Sequence, residues 1–550
     1  MSPCAVAQAD ENLNRLENYS RPAEPSDPKN TATIYFRHFI SDSTVSYLAK
    51  VRPYRGPGDS WQGTICESTQ DPKCTSSSWK WEYQSLYPKC LSDDETNCIV
   101  AVWAIDENGD KTFGELSKYL NYGNEFLGDP KLNIPAGKST SIWKFPKLKG
   151  QETTTFAVQV GEHGGEVAES SIDRWGMLGY PFDFFARIQP VKLGEISWNQ
   201  QLEPARNRTD QDGNLYVDFG QAQQTCIGFE KGVCGTPQTF DVNQRFGIKF
   251  RTSNHLQPFF QGRLTLPNLT VIDLPNESHE ITLEANPAQI SLMEGRADFS
   301  DIIQSCKFFP YSQWSTPISF YDRWNTLSWS NGDSGDGVFE MYNCWKKWID
   351  DKAVGEQTRW TFISTNSSDS PELLSCTRNV PISILVSTNS AIYSDGPPTW
   401  DSKNQSLQYR VAGPHFLSNG SLNRGTYSLI LNSQVAKCLY GLESTGLQAT
   451  VEVVSDLGNT TTTTTSVNSI NGYLNLSAQN FTFSAPTIKI KLSQNTQSTN
   501  PDLTPTIAQP TTSGKINTKK VILTITCTRG KTIKKVSGIS PVCPAGYKKR

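Results

Sequence analysis

The segment WKWEYQSLY sets Trp79, Trp81 and Tyr83 at alternate positions. In an extended strand alternate side chains project from one face, so the three rings would form a row, with Lys80 and Glu82 on the reverse. A coplanar row open to water is a surface on which sugar rings stack. A covered row is core, because each ring buries a large area. Trp79, Trp81 and Tyr83 are therefore the candidate ligand-binding residues, with a glycan as the ligand and packing as the plainer alternative. Trp345 and Trp348 in CWKKW read as a packing face.

Other constellations carry less chemistry. NGDSGDG at Asn331–Gly337 resembles the sequence around the nucleophile of trypsin-like proteases. That chemistry needs a histidine base held by a buried aspartate, and His38, His163, His255 and His279 all lack the cysteine-flanked setting of that family. A Gly/Asp/Asn loop is the expectation. DENGD at Asp106–Asp110 and DQDGN at Asp210–Asn214 alternate oxygen ligands as calcium requires. The first would put Lys111 where an EF-hand has glycine and Ser117 where it has glutamate; the second lacks the terminal acid. Both read as hairpin turns, which leaves calcium as the one cofactor to consider and no metal-ligating residue to name. GEHGGEVAE offers His163 and Glu166, with no further ligand or orienting partner, and reads as a glycine-loosened surface loop. Glu294, Asp298 and Asp301 would share one face of a helix as a solvated acidic stripe. No catalytic residue is assigned, because the separation of two carboxylates is a property of the fold. Nucleotide loops, zinc signatures and haem attachment motifs do not occur in the sequence.

The 13 cysteines of this 550-residue chain point to a compartment. Cys66/Cys74, Cys90/Cys98 and Cys226/Cys234 share the spacing C-x7-C, and Cys527/Cys543 close the C-terminus. Loops of this length favour local disulfides worth roughly 2–3 kcal/mol each, whereas zinc prefers closer ligand pairs and neighbouring histidine. For the first cluster, Cys74/Cys90 nested within Cys66/Cys98 is an alternative. Cys306, Cys344, Cys376 and Cys438 leave three connectivities open. Disulfides persist outside the reducing cytoplasm, so an extracytoplasmic protein is expected, either secreted or on the cell surface. Ala7-Gln8-Ala9 before Asp10 fits the end of a signal peptide. Residues 1–9 are expected to be its remnant, with Met1 an internal start; cleavage there removes Cys4 and leaves an even count.

The elements that must position these groups are mostly strands. Thr, Ser, Asn, Gly and aromatic residues are abundant, and mean hydropathy is −0.47. No apolar run reaches 18 residues, so no transmembrane segment is expected. Residues 10–30 read as a polar linker and 31–285 as a β-rich region of one or two domains. Strand signals there are CIVAVWAID, TTTFAVQV, FDFFARIQPV, FGIKFRTS and GRLTLPNLTVIDL. Residues 286–380 read as a mixed α/β segment, with Ile290, Met293, Ala297 and Ile302 at near-helical spacing and a short helical piece at NCWKKWIDDKA. PISILVST, TYSLILNS, LQATVEVVS, NTTTTTTSV, YLNLSAQNFTFS and TIKIKL fill 381–493, expected as a β-sandwich. Residues 494–514 form a Thr/Pro-rich linker, and 515–550 a small basic module built on a disulfide-stapled hairpin. The fold class is thus mainly β: a multi-domain, immunoglobulin-like sandwich architecture with a small helical insertion.

Charge is divided unevenly. From Ser513 to Arg550 there are ten Lys/Arg and no Asp or Glu, while the rest of the chain has 41 basic and 54 acidic residues. The body therefore has no footprint for nucleic acid, and the tail is suited to an anionic partner. The ending ITCTRGKTIKKVSGISPVCPAGYKKR resembles that of uncharacterised secreted proteins of freshwater planktonic actinobacteria, over about the last 30 residues. GTYSLILNSQVAKCLYGLESTGLQATVEVV through FTFSAPTIKIKL resembles the β-rich segment before that tail, and KCLSDDETNCIVAVWAIDENG an N-terminal element of the same proteins. The resemblance implies an extracytoplasmic location and no catalytic residue. Lys519, Lys520, Arg529, Lys531, Lys534, Lys535, Lys548, Lys549 and Arg550 are the candidate envelope-binding cations, for an anionic cell-envelope polymer or for export and sorting machinery. An exported non-catalytic protein for adhesion, structure or glycan binding is the expected function, with an extracellular carbohydrate-active enzyme as the alternative.

Overall fold

Apolar–polar alternation decides the strands of the first half. In the computed structural model the described residues are 31–36, 45–52, 62–148 and 154–165 with short gaps, 182–195, 206–209, 215–218, 227–298 with short gaps, 326–329, 339–494 with short gaps, 523–529, 532–538 and 547–549. The strands include β1 (Tyr47–Val51), β2 (Gly63–Cys66), β3 (Lys80–Leu86), β4 (Cys98–Ile105), β5 (Thr155–Gly165), β6 (Phe182–Glu195), β7 (Arg245–Ser253), β8 (Phe259–Leu274) and β9 (Ser278–Asp298). Phe246, Ile248 and Phe250 of β7 and Phe156, Val158 and Val160 of β5 all turn inward. They join Val102, Phe184, Ile188, Ile281 and Leu283 in one core.

Two sheets contribute to that core. One runs β2–β1–β3–β5–β6 and continues through β10 (Gly355–Ser364) to the first part of β8. The other places β7 between β4 and β9, with the second part of β8 on the far side of β9. β8 serves both because its ladder breaks: Thr265 opposes Asn286, and the next pair is Asn268 with Glu284. Pro267 has no N–H to donate, and Leu266 before it takes φ 50°, so the strand bends there and changes sheets.

The second half adds β11 (Ile384–Thr388), which runs parallel to β8 and is followed in the same sheet by β13 (Arg424–Asn432) and β16 (Tyr473–Thr482). A further sheet orders β12 (Ser406–Ala412), β17 (Thr487–Gln494), β14 (Leu447–Val454) and β15 (Thr460–Val467), with antiparallel neighbours throughout. Their inward residues form a second core with Leu429, Leu431, Leu476, Phe483, Val451 and Ile490. Two short helices flank it, α1 (Pro371–Thr377) and α2 (Ser433–Tyr440). Ser370 and Asn432 cap their N-termini by accepting from Leu373 and Gln434 N–H. The Cys376–Cys438 disulfide joins the helices.

One expected helix is a strand. β9 runs through Ile290 and Met293 to Asp298, paired with Gly355–Arg359 and then with Thr31–Phe36. Ala288 and Ile290–Gly295 are all buried, so neighbours cover both faces and the apolar run loses its period-2 signature. The helical pieces described in 286–380 are α1, the single-turn Lys346–Trp348 and the few helical residues before it.

The chain divides into two units, Met1–Asn495 and Thr496–Arg550. In the second, β18 (Leu523–Arg529) and β19 (Thr532–Gly538) form the expected hairpin, and β20 (Lys548–Lys549) pairs with the other edge of β18. Residues 1–30 and 495–514, expected as signal remnant and linkers, lie outside the described residues. Among the described residues no helix is long and apolar enough to cross a membrane.

Candidate functional site

The aromatic row of β3 is covered. Trp81 and Tyr83 expose 6% and 1% of their surface and pack with Leu48, Cys66, Cys74, Phe126 and Ile134. Trp79, half-buried, precedes the strand, and Lys50 Nζ stands 4.2 Å from the Trp81 ring centroid. Trp81 and Tyr83 are core, and the expected glycan platform is not formed by them, because the Cys66–Cys74 bridge and Phe126 and Ile134 pack against the face on which a sugar would stack.

What the row does contribute is a phenol. β3 pairs with β5 so that Ser85 opposes Glu162, which puts Tyr83 and Glu162 on the same face. Glu162 Oε1 accepts from Tyr83 Oη at 2.9 Å, and Oε2 accepts from Tyr87 Oη at 2.7 Å. Tyr87 Oη also lies 3.0 Å from Thr252 Oγ1 on β7. The Phe184 ring meets Tyr87 edge-on, with centroids 6.2 Å apart. Burial pushes the Glu162 carboxyl up to about 7, against the lowering effect of the two phenol hydrogen bonds. Burial likewise raises both phenols far above the ordinary tyrosine range, and the carboxylate beside them adds to it. The group can hold a proton near neutrality, with phenol donors fixed around it.

Sequence reasoning passed over Glu162 in favour of His163 and Glu166. GEHGG is strand, not surface loop: β5 continues to Gly165. The signal was present, since Phe156, Val158 and Val160 continue at period 2 to Glu162 on the inward face. His163 consequently points the other way, 3.4 Å from Glu82 Oε1, which also accepts from Tyr47 Oη at 3.0 Å. Glu82 and Glu162 thus stand on opposite faces of one sheet and cannot flank a single bond as paired acids. Glu166 lies outside the described residues.

A second buried carboxylate is partnered by cations. Glu280 on β9 receives Arg251 Nε at 3.0 Å and Lys249 Nζ at 2.9 Å. Burial opposes its charge, but hydrogen bonds and attraction from Lys249 and Arg251 hold it below the ordinary glutamate range. Arg251 also donates to the Asp93 carbonyl at 2.6 Å, fastening the Cys90–Cys98 loop to the sheet.

The remaining candidates resolve locally. Asp106 Oδ1 accepts the backbone N–H groups of Asn108 and Asp110, so DENGD is a hairpin turn held by its own aspartate. Glu294 is buried on β9 and is no part of a solvated helical stripe. NGDSGDG, DQDGN, Asp301 and Trp345 lie outside the described residues. Cys66–Cys74 and Cys90–Cys98 are bonded as the spacing predicts, which excludes the nested alternative. Of the three open connectivities, the structure has the one containing Cys376–Cys438. Cys234 is also disulfide-bonded. Cys226 and Cys543 are outside the described residues.

In the tail sheet, Lys534 and Lys549 are the register partners of Cys527 on either side; Lys535 opposes Thr526 and Lys548 opposes Thr528. Arg529 closes the hairpin opposite Thr532. Lys519, Lys520, Lys531 and Arg550 are outside the described residues. No protein-family model, curated protein or solved structure matches the chain.

Proposed function

We propose that this is an exported, non-catalytic protein whose mainly β body, in layers of the immunoglobulin-like sandwich kind, serves adhesion, structure or ligand binding outside the cytoplasm. Its basic C-terminal module attaches it to an anionic polymer of the cell envelope. The observation that carries the reading is the separation of Thr496–Arg550 as a unit of its own, in which cationic positions recur on all three strands. Such a module can bind through charge without disturbing the body, each cation adding about 1 kcal/mol near an anionic surface. The disulfides, which include the 62-residue span from Cys376 to Cys438, are typical of extracytoplasmic proteins and support the location.

The test compares the intact chain with one ending at Gly514, each fractionated into medium, envelope and cytoplasm at low and high salt. The proposal requires the intact chain on the envelope at low salt, its release at high salt, and the truncated chain in the medium. Equal release of both chains to the medium overturns the attachment role, and a reduced intact chain in the cytoplasm overturns export.

A further inference from the structure

Ten of the 35 asparagines begin an Asn-x-Ser/Thr triplet in which x is not proline. This triplet is the acceptor for asparagine-linked glycans, which are bulky and hydrophilic, so the folded chain must leave the asparagine in water. Burial is described for Asn268, Asn404, Asn419, Asn475 and Asn480, and none of these is buried. Asn268 is only half-exposed. Asn404 is committed otherwise: its Nδ2 donates to Asp401 Oδ2 at 2.7 Å, and Ser406 of its triplet is buried.

Two of the remaining triplets share β16. Leu474, Leu476 and Ala478 face the second core, while Asn475, Ser477 and Gln479 face out. Strict alternation would then turn Asn480 inward and Phe481 outward. The ladder with β13 shifts here instead: Thr426 opposes Gln479, Gly425 opposes Phe481, and Asn480 is the extra residue. It takes φ 61°, a conformation asparagine tolerates better than most residues. The bulge resets the phase, so Asn480 and Thr482 face water while Phe481 and Phe483 return to the core. Asparagine and hydroxyl residue of both triplets are thereby exposed on one strand. The third triplet, Asn419-Gly420-Ser421, is exposed in a turn; Asn419 Oδ1 accepts from Ser421 N–H at 2.9 Å.

We propose that Asn419, Asn475 and Asn480 carry asparagine-linked glycans. The inference rests on the export part of the function proposed above, since the sugar donor, a polyisoprenyl-pyrophosphate oligosaccharide, is used outside the cytoplasm. In the transfer, the asparagine Nδ2 bonds to the anomeric carbon and the bond from that carbon to the pyrophosphate oxygen breaks. The polyisoprenyl pyrophosphate leaves with the electron pair, and one amide proton is released to base. The sugars would cover the polar face of β16 and leave both cores untouched.

The experiment uses the full chain purified from the cells that make it, treated with peptide N-glycosidase in oxygen-18 water and read by peptide mass spectrometry. The expected result is oxygen-18-labelled aspartate at positions 419, 475 and 480; unaltered asparagine at all three overturns the proposal. Ser477→Ala and Thr482→Ala, which keep the asparagines and the strand, are each expected to lower the intact mass by one glycan. An unchanged glycan mass in both variants overturns the assignment to β16. Location and thiol state of the same sample separate the two readings. Disulfide-bonded protein outside the cytoplasm with bare asparagines sinks the glycan proposal alone, whereas reduced cytoplasmic protein sinks both.

Discussion

Glu162 and Glu280 are the same residue type, each buried on a strand lining the first core, and their carboxyl groups are shifted in opposite directions. Around Glu162 the contacts are neutral phenols; around Glu280 they are an arginine and a lysine. Burial alone opposes charge in both. Nearby cations reverse the outcome at Glu280, while hydrogen bonds from tyrosine only moderate it at Glu162. The comparison teaches that depth and partner charge act together: the deeply enclosed Glu162 among neutral donors stores a proton, and the shallower Glu280 beside two cations keeps its charge and anchors a loop.

The strongest way to break this contrast is Arg251→Met. It leaves a buried Glu280 with one partner and frees the Asp93 carbonyl, and a loss of about 3–5 kcal/mol is expected in urea unfolding at pH 7. A loss below about 1 kcal/mol would mean that the pair is hydrated. Glu162→Gln tests the other side through pH. The folded carboxyl titrates near 7, above its ordinary 4.5, so the neutral form is favoured by folding. Its stabilisation is complete below about pH 4.5 and is lost as pH rises to about 7, a fall of roughly 3 kcal/mol attributable to this group. Stability measured at intervals from pH 4.5 to 8 is expected to lose that component of the slope in the variant; an identical slope sinks the assignment.

Tyr87→Phe sharpens the contrast at intermediate size. It removes the 2.7 Å donor to Oε2, is expected to cost about 1–3 kcal/mol, and moves the Glu162 transition above 7. A transition that moved down instead would show the phenol stabilising the neutral form. The smallest effect belongs to Lys249→Met. Its ammonium reaches Glu280 from a partly exposed position, so about 0.2–1 kcal/mol is expected, against the larger loss for Arg251. Equal losses for the two would show that net charge, not the buried geometry, sets the behaviour of Glu280.

Much of the fold was legible in particular residues. FGIKFRTS alternates because Phe246, Ile248 and Phe250 share the core face while Lys249 and Arg251, on the other, meet Glu280, and the strand lies where the pattern puts it. Cys66–Cys74 and Cys90–Cys98 could be paired because only eight positions separate each pair. The stretch at Ile290–Gly295 misled for the opposite reason: a strand covered on both faces has no exposed side to mark its period. Trp81 and Tyr83 had the right spacing for a strand, but spacing does not say that Phe126 and Ile134, more than 40 residues on, come back over the rings.

The sequence by itself determined the strand-rich class, the short disulfides, the charge split between body and tail, and the ten glycan-acceptor triplets. These are local or compositional properties, fixed by neighbours within a few residues. Tertiary structure alone decided that Cys376 meets Cys438, that Tyr83 and Tyr87 converge on Glu162, and that a bulge turns Asn480 outward. Each of these depends on which distant strand arrives alongside. Burial and partner charge are set by that arrival, and no short window of sequence contains it.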